Sequence, residues 1–115
     1  MIIGRIDNNL KYETIEIDLQ GIETKKDLLY KVSKELNFPI WDENNWNAFS
    51  DWLVNGLYDS FDNIIALRIV LKDFSIKDEE VKQIFYEILQ ESADHGFEDN
   101  NGSKHIPCYY EILDC

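Results

Sequence analysis

Positive charge is scarce in this chain. Eleven Lys and Arg residues stand against 23 Asp and Glu, a formal net charge of −12. Such a surface repels phosphate backbones, which argues against direct nucleic-acid binding. It also disfavours anionic membrane surfaces. Cysteine is scarce as well. Cys108 and Cys115 both lie near the C-terminal end. A bridge between them would close a short terminal loop and staple little. Neither a disulfide framework nor a zinc pattern is present. No apolar run is long enough to span a bilayer. The first residues, MIIGRIDNN, lack the apolar core and cleavage site of a signal peptide. The expectation is a cytoplasmic protein that needs no membrane.

Catalytic motifs are missing too. There is no Gly-rich phosphate loop and no nucleophile elbow. His95 and His105 flank an acidic loop without a second ligand at metal spacing, as ordinary surface histidines do. DNNG at 99–102 is a fragment of a calcium loop and reads as a turn. These absences predict a non-enzyme with no cofactor and no metal. An enzyme using Asp51, Glu91 or a histidine as acid or base would need a partnered nucleophile or base, and none is visible.

What is present is a foldable chain. It has 115 residues, 44% of them hydrophobic, with three Trp, six Tyr and six Phe. A disordered acidic tail lacks such aromatics. No repeat, linker or low-complexity tract divides the chain, so residues 1–115 are expected to form one domain. The acidity has two readings. It either steers a basic partner inward through long-range attraction or only keeps the protein soluble.

Hydropathy patterns outline the elements. Residues 2–6 and 12–19 read as strands, and Asn8 and Asn9 between them suit a turn, so a short hairpin is expected. Thr24 can cap a helix over 25–36 whose apolar stripe is Leu28, Leu29, Val32 and Leu36. Asn37 and Pro39 stop it. A second helix covers about 45–57, with Trp46, Phe49, Leu53 and Leu57 toward the core and Asn47, Ser50, Asp51 and Val54 on the other side. IIALRIVL, 64–71, suits a central strand buried deeply or on both faces, in which Arg68 needs a partner. Ser75 or Asp78 caps a long helix over 79–94, lined by Val81, Ile84, Phe85, Ile88 and Leu89. Gly96 is placed to end it. Residues 97–105 read as a loop and 106–113 as a last strand, with Pro107 at its start or on an edge. Strands separated by helices pair in parallel. The pattern predicts a small α/β domain with helices mainly against one sheet face.

The unusual stretch is PIWDENNWNAFSDWL, 39–53. Trp41 and Trp52 lie off the core stripe or before it. Asp42, Glu43, Asn45, Asn47 and Asp51 share the presumptive exposed side. Aromatics beside hydrogen-bonding groups are the material of interface hot spots. The same residues also fit a plainer reading, in which both tryptophans complete the core and the acids are a solvated helix start.

Over 15–113 the chain resembles the barstar family of ribonuclease inhibitors, most strongly in LQGIETKKDLLYKVSKELNFPIWDENNWNAFSDWL, 19–53. Asn45, Ala48, Phe49, Asp51 and Leu53 carry the family's second-helix pattern. The resemblance implies a small, mainly parallel three-stranded sheet with helices mostly on one face; the strand read at the N-terminus would be an addition. It implies an inhibitor that inserts this helix and the loop before it into a nuclease active site. Asp51 would occupy the place of substrate phosphate, Trp41 would be the loop aromatic, and Glu91 would contribute at the rim. The binding residues so implied are Trp41, Asp42, Glu43, Asn45, Asn47, Ser50, Asp51 and Glu91. The partner would be a cognate nuclease toxin with a basic active site, and the free protein a monomer. Several positions depart from the family. Asn47 stands where a second aspartate is usual, Ser50 where a tryptophan precedes the key aspartate, and Asp42–Glu43 where a Tyr-Gly pair is usual. The short helix before the long one is missing or reduced, and 97–105 is longer. These departures imply a retained scaffold with a different target, as in immunity proteins of polymorphic or contact-dependent toxins. The alternative is a non-catalytic interaction or regulatory subunit that turns the same acidic, aromatic face to a non-nuclease partner.

Overall fold

A computed structural model describes residues 1–38, 45–55, 65–95, 97–98 and 105–114. The strands β1 (Ile2–Ile3), β2 (Tyr12–Asp18), β3 (Ala66–Phe74) and β6 (Cys108–Asp114) form one sheet in the order β1-β6-β3-β2. Between them lie α1 (Lys25–Glu35), α2 (Trp46–Asn55) and α3 (Glu79–His95). β2, β3 and β6 run parallel, with Ile15, Ile17 and Asp18 of β2 registered to Ile69, Leu71 and Lys72 of β3. β1 adds antiparallel to β6, through Ile2–Glu111 and Ile3–Tyr110. This is the expected parallel trio with an extra N-terminal strand.

The expected hairpin does not form. Asn8 and Asn9 do lie in a turn, closed by the Leu10 N–H donating to the Asp7 carbonyl at 3.1 Å. The strands on either side of it nevertheless lie at opposite edges of the sheet. The reason is register. β2 matches β3 over seven residues, whereas β1 is two residues long. Gly4 turns the chain out of β1 at φ +106, and a Cβ there would stand 2.9 Å from the Ala93 Cβ. Only glycine accepts both the backbone angle and the close approach.

One sheet face carries Leu67, Ile69, Leu71, Cys108, Tyr110 and Ile112, all buried, and the helices cover it. Phe85 of α3 sits at the centre, stacked 5.8 Å from Phe74 and 6.1 Å from Phe49 of α2. On the other face β3 is buried as well, as its apolar run invites, but under charged side chains of its neighbours. Val70 is only 3% exposed. Its registered neighbours are Glu16 and Glu111, which pair with Lys72 and Arg68. Arg68 Nε donates to Glu111 Oε2 at 3.1 Å, which supplies the partner that its position demands. Long charged side chains lay their stems over the strand and keep their charges in water. Tyr12 and Tyr109 meet edge to face, 4.9 Å apart, on the same side.

α1 begins and ends, and α2 and α3 begin, where their sequence directs. Thr24 Oγ1 accepts from the Asp27 N–H at 3.2 Å. Asn37 adopts φ 60, and the N–H groups of Phe38 and Asn37 donate back to the Ser33 and Lys34 carbonyls at 2.9 and 3.2 Å. That pairing closes a helix through a left-handed residue, which asparagine tolerates. Asp78, not Ser75, caps α3, accepting from the Glu80 and Val81 N–H groups at 3.0 and 3.2 Å. Ser75 instead donates to the Ile22 carbonyl at 3.3 Å. Residues 75–78 between β3 and α3 are not helical.

The expectation of a plain loop over 97–105 needs correction at its ends. β4 (Phe97–Glu98) and β5 (His105–Ile106) pair antiparallel as a second, two-stranded sheet. Ile106 is buried and holds this ribbon against the core. Pro107 separates it from β6, and its carbonyl accepts from the Leu67 N–H at 2.9 Å. Pro39, Gly56, Leu57, Gly96, the DNNG segment at 99–102 and Cys115 lie outside the described residues.

Candidate functional site

Helix α2 owes its position to its apolar stripe. Phe49 and Leu53 are buried in the core, and Trp46 and Trp52 pack against it half-buried. Trp52 stacks on Phe38 at 6.0 Å. The left-handed turn at Asn37 delivers Phe38 to that contact. Of the two readings open for Trp52, its ring thus takes the core side. Trp46 packs edge-on to Phe49 at 6.4 Å, and Lys25 Nζ lies 5.3 Å from its ring centre. A cation over an indole face is attracted by the ring quadrupole. This contact links the start of α1 to the start of α2.

Burying that stripe turns the opposite side outward. Asn47 and Asp51 are exposed, and Ser50 is half-buried between them. They are spaced by three and four residues, so they share one helix face. Asn45 is exposed at the start of the same helix. Its Oδ1 accepts from the Asn47 N–H at 2.8 Å and the Ala48 N–H at 3.4 Å, which makes it the N-cap of α2. Glu91 is exposed on α3, one residue before Ser92. Ser92 bonds the Leu53 carbonyl, so Glu91 belongs to the turn of α3 that meets the end of α2. Trp41, Asp42 and Glu43 lie outside the described residues.

Sequence reasoning missed Ser92 itself. It is completely buried. Its hydroxyl contacts the Leu53 carbonyl at 3.2 Å and the Tyr110 hydroxyl at 2.9 Å. The signal was available. Val81, Ile84, Phe85, Ile88 and Leu89 define a stripe whose next position is Ser92, so a lone serine falls on the core side of α3. Cys108 lies beside it, and its Sγ donates to the Ser92 carbonyl at 3.7 Å. Burial pushes the Cys108 thiol up to about 12. It is a neutral part of the core, as its place in a buried strand implied.

Among the described residues, no group of three or more His, Cys, Asp or Glu side chains is placed to hold a metal ion. No described helix is long and apolar enough to cross a membrane. What the face of α2 offers is a carboxylate, an amide and a hydroxyl on a helix anchored by aromatic packing. It suits recognition of a cationic surface.

Neither a curated protein nor a solved structure matches the chain. A family model does, over residues 12–109, and its description is Barstar (barnase inhibitor). The match starts at β2 and extends into β6, leaving β1 outside it. With the parallel β2-β3-β6 sheet, the helices on one face and this match over most of its length, the chain belongs to the barstar family, a family of non-catalytic inhibitors of the ribonuclease-inhibitor type.

Proposed function

We propose that this protein is an immunity protein that blocks the active site of a cognate nuclease toxin with α2 and the segment before it. The observation that carries the reading is Asp51. It is exposed on the helix that bears the family pattern, beside exposed Asn47, and the apolar side of that helix packs against the core. A ribonuclease site is lined with Arg, Lys and His to hold phosphate. A carboxylate on a rigid helix can satisfy those cations while water is excluded, where truncating one partner costs about 2–5 kcal/mol. Preformed geometry avoids ordering costs on binding. The net charge of −12 speeds encounter with a basic partner and makes it salt-sensitive.

In this reading Trp41, Asp42, Glu43, Asn45, Asn47, Ser50 and Glu91 complete the contact surface around Asp51. Asn45 also caps the helix. The protein acts as a cytoplasmic, single-domain monomer, without cofactor and without binding nucleic acid itself. The departures at Asn47, Ser50 and Asp42–Glu43 tune the surface for its own toxin.

The test is co-expression with toxins encoded beside it, using the native chain and Asp51→Ala. Protection by the native chain and its loss in Asp51→Ala are expected. Unchanged protection by Asp51→Ala removes the anchor. A pull-down that recovers only non-nuclease proteins would favour a regulatory subunit using the same face.

A further inference from the structure

Hydrophobic contacts hold α2 against the core, but such contacts are non-directional and do not by themselves fix a helix's rotation or height. Among the described residues, one hydrogen bond from α3 reaches the last turn of α2. Ser92 of α3 is completely buried, and its hydroxyl has a single hydrogen. The Leu53 carbonyl, 3.2 Å away, can only accept, so that hydrogen goes to it. The Tyr110 hydroxyl, 2.9 Å from the same oxygen, must then be the donor to Ser92. A one-way chain results, from the Tyr110 O–H of β6, through the Ser92 O–H of α3, to the Leu53 carbonyl of α2. Cys108, two residues before Tyr110 on the same face of β6, donates to the Ser92 carbonyl at 3.7 Å. The central sheet thus grips Ser92 at both its backbone and its side chain, and Ser92 grips the last turn of α2. Leu53 is two residues beyond Asp51.

We infer that Ser92 is a positioning residue whose hydroxyl sets the register of α2 on the scaffold and so holds the Asn47–Asp51 face in place. The functional consequence rests on the proposed inhibitory role of that face. The structural claim does not, because it concerns the free chain.

Amide hydrogen exchange on the free, full-length protein tests it. In Ser92→Ala the amides of residues 49–55 should exchange faster by about tenfold, the scale of one lost buried hydrogen bond. Those of residues 28–36 in α1 should change by less than about threefold, because α1 is capped by its own sequence. Tyr110→Phe keeps the Ser92–Leu53 bond but removes the hydroxyl behind it, and should speed exchange in α2 by about twofold to threefold with α1 unaffected. Parallel acceleration of α1 and α2 in both variants would reduce Ser92 to general core stability and overturn the assignment. Unchanged exchange in α2 would also overturn it. If Ser92→Ala does not fold, the Tyr110→Phe comparison decides alone. A failed protection assay with Asp51→Ala would leave these results untouched, so the two ideas fail separately.

Discussion

α1 and α2 are neighbouring helices of 11 and 10 residues, packed on the same side of the same sheet, yet they are held in different ways. α1 is closed at both ends by residues next to it in sequence: Thr24 at the start, and the left-handed turn at Asn37 with its bonds to Ser33 and Lys34 at the finish. Lys31 and Glu35 pair along its surface at 3.3 Å. α2 has a local cap in Asn45 at its start, but its last turn is tied to Ser92, 39 residues away. α1 is therefore a helix that its own segment specifies. α2 is a helix whose place depends on the rest of the fold. The element proposed to bind the partner is the one whose orientation the scaffold controls, which is how a rigid recognition surface is made from a short segment.

Core truncation should sharpen that contrast most. Leu28 of α1 and Leu53 of α2 are both completely buried. Leu28→Ala and Leu53→Ala should each lower stability by about 2–5 kcal/mol in denaturant unfolding. Only Leu53→Ala should also weaken binding to the target nuclease, measured by calorimetry on the folded fraction. Equal losses of affinity would break the comparison.

Asp51→Ala should do the reverse. Its effect on stability should stay within about 1 kcal/mol, the scale of an exposed polar interaction, because the residue is exposed. Its binding loss should reach about 2–5 kcal/mol, or roughly 30-fold to several thousand-fold in Kd. A matching change on α1, Lys31→Ala, should leave Kd within about threefold.

Caps come next. Thr24→Ala and Asn45→Ala should each cost about 1 kcal/mol of stability, read from thermal or urea unfolding. The former should not touch affinity. The latter should, because it loosens the start of the helix that carries Asn47 and Asp51.

The smallest effect at neutral pH concerns Cys108, which grips Ser92 from the sheet. Its thiol is raised to about 12 from 9.0 by burial. As pH rises past about 9 the unfolded thiol releases its proton while the folded one keeps it. The unfolded state then binds fewer protons, and stability falls with increasing pH up to about 12. Below pH 9 the thiol contributes no slope. Urea midpoints between pH 7 and 11 should show this fall, and Cys108→Ala should lessen it. Thiol-reagent labelling of the native protein at pH 8 should be slow at Cys108.

Much of this was legible along the chain. The stripe of α1, its two ends, the core side of α2 and the outward turn of Asn47 and Asp51 all follow from helical periodicity and capping chemistry, which act within a few residues. Arg68 declared its need for a partner because a charge in an apolar run is costly to leave unpaired. The identity of that partner was hidden, since Glu111 is 43 residues away. The hairpin reading of β1 and β2 failed for a related reason. A turn signal at Asn8–Asn9 says that the chain bends, not which edge of a sheet the next strand will join. The pairing at the ends of 97–105 escaped notice because each of its strands is only two residues long, too short to show alternation.

The sequence by itself determined the acidic balance, the starts of the helices and both ends of α1, the alternation of the strands and the family pattern around Asp51, because each is a short-range or summed property of the chain. Tertiary structure alone decided that β1 pairs with β6, with the Met1 amine donating to Ile112 across 111 residues. It also decided that Trp52 stacks on Phe38 and that Ser92 ties α2 to the sheet. Those contacts join segments far apart in sequence, and directional bonds between distant groups exist only once packing has brought the groups within reach.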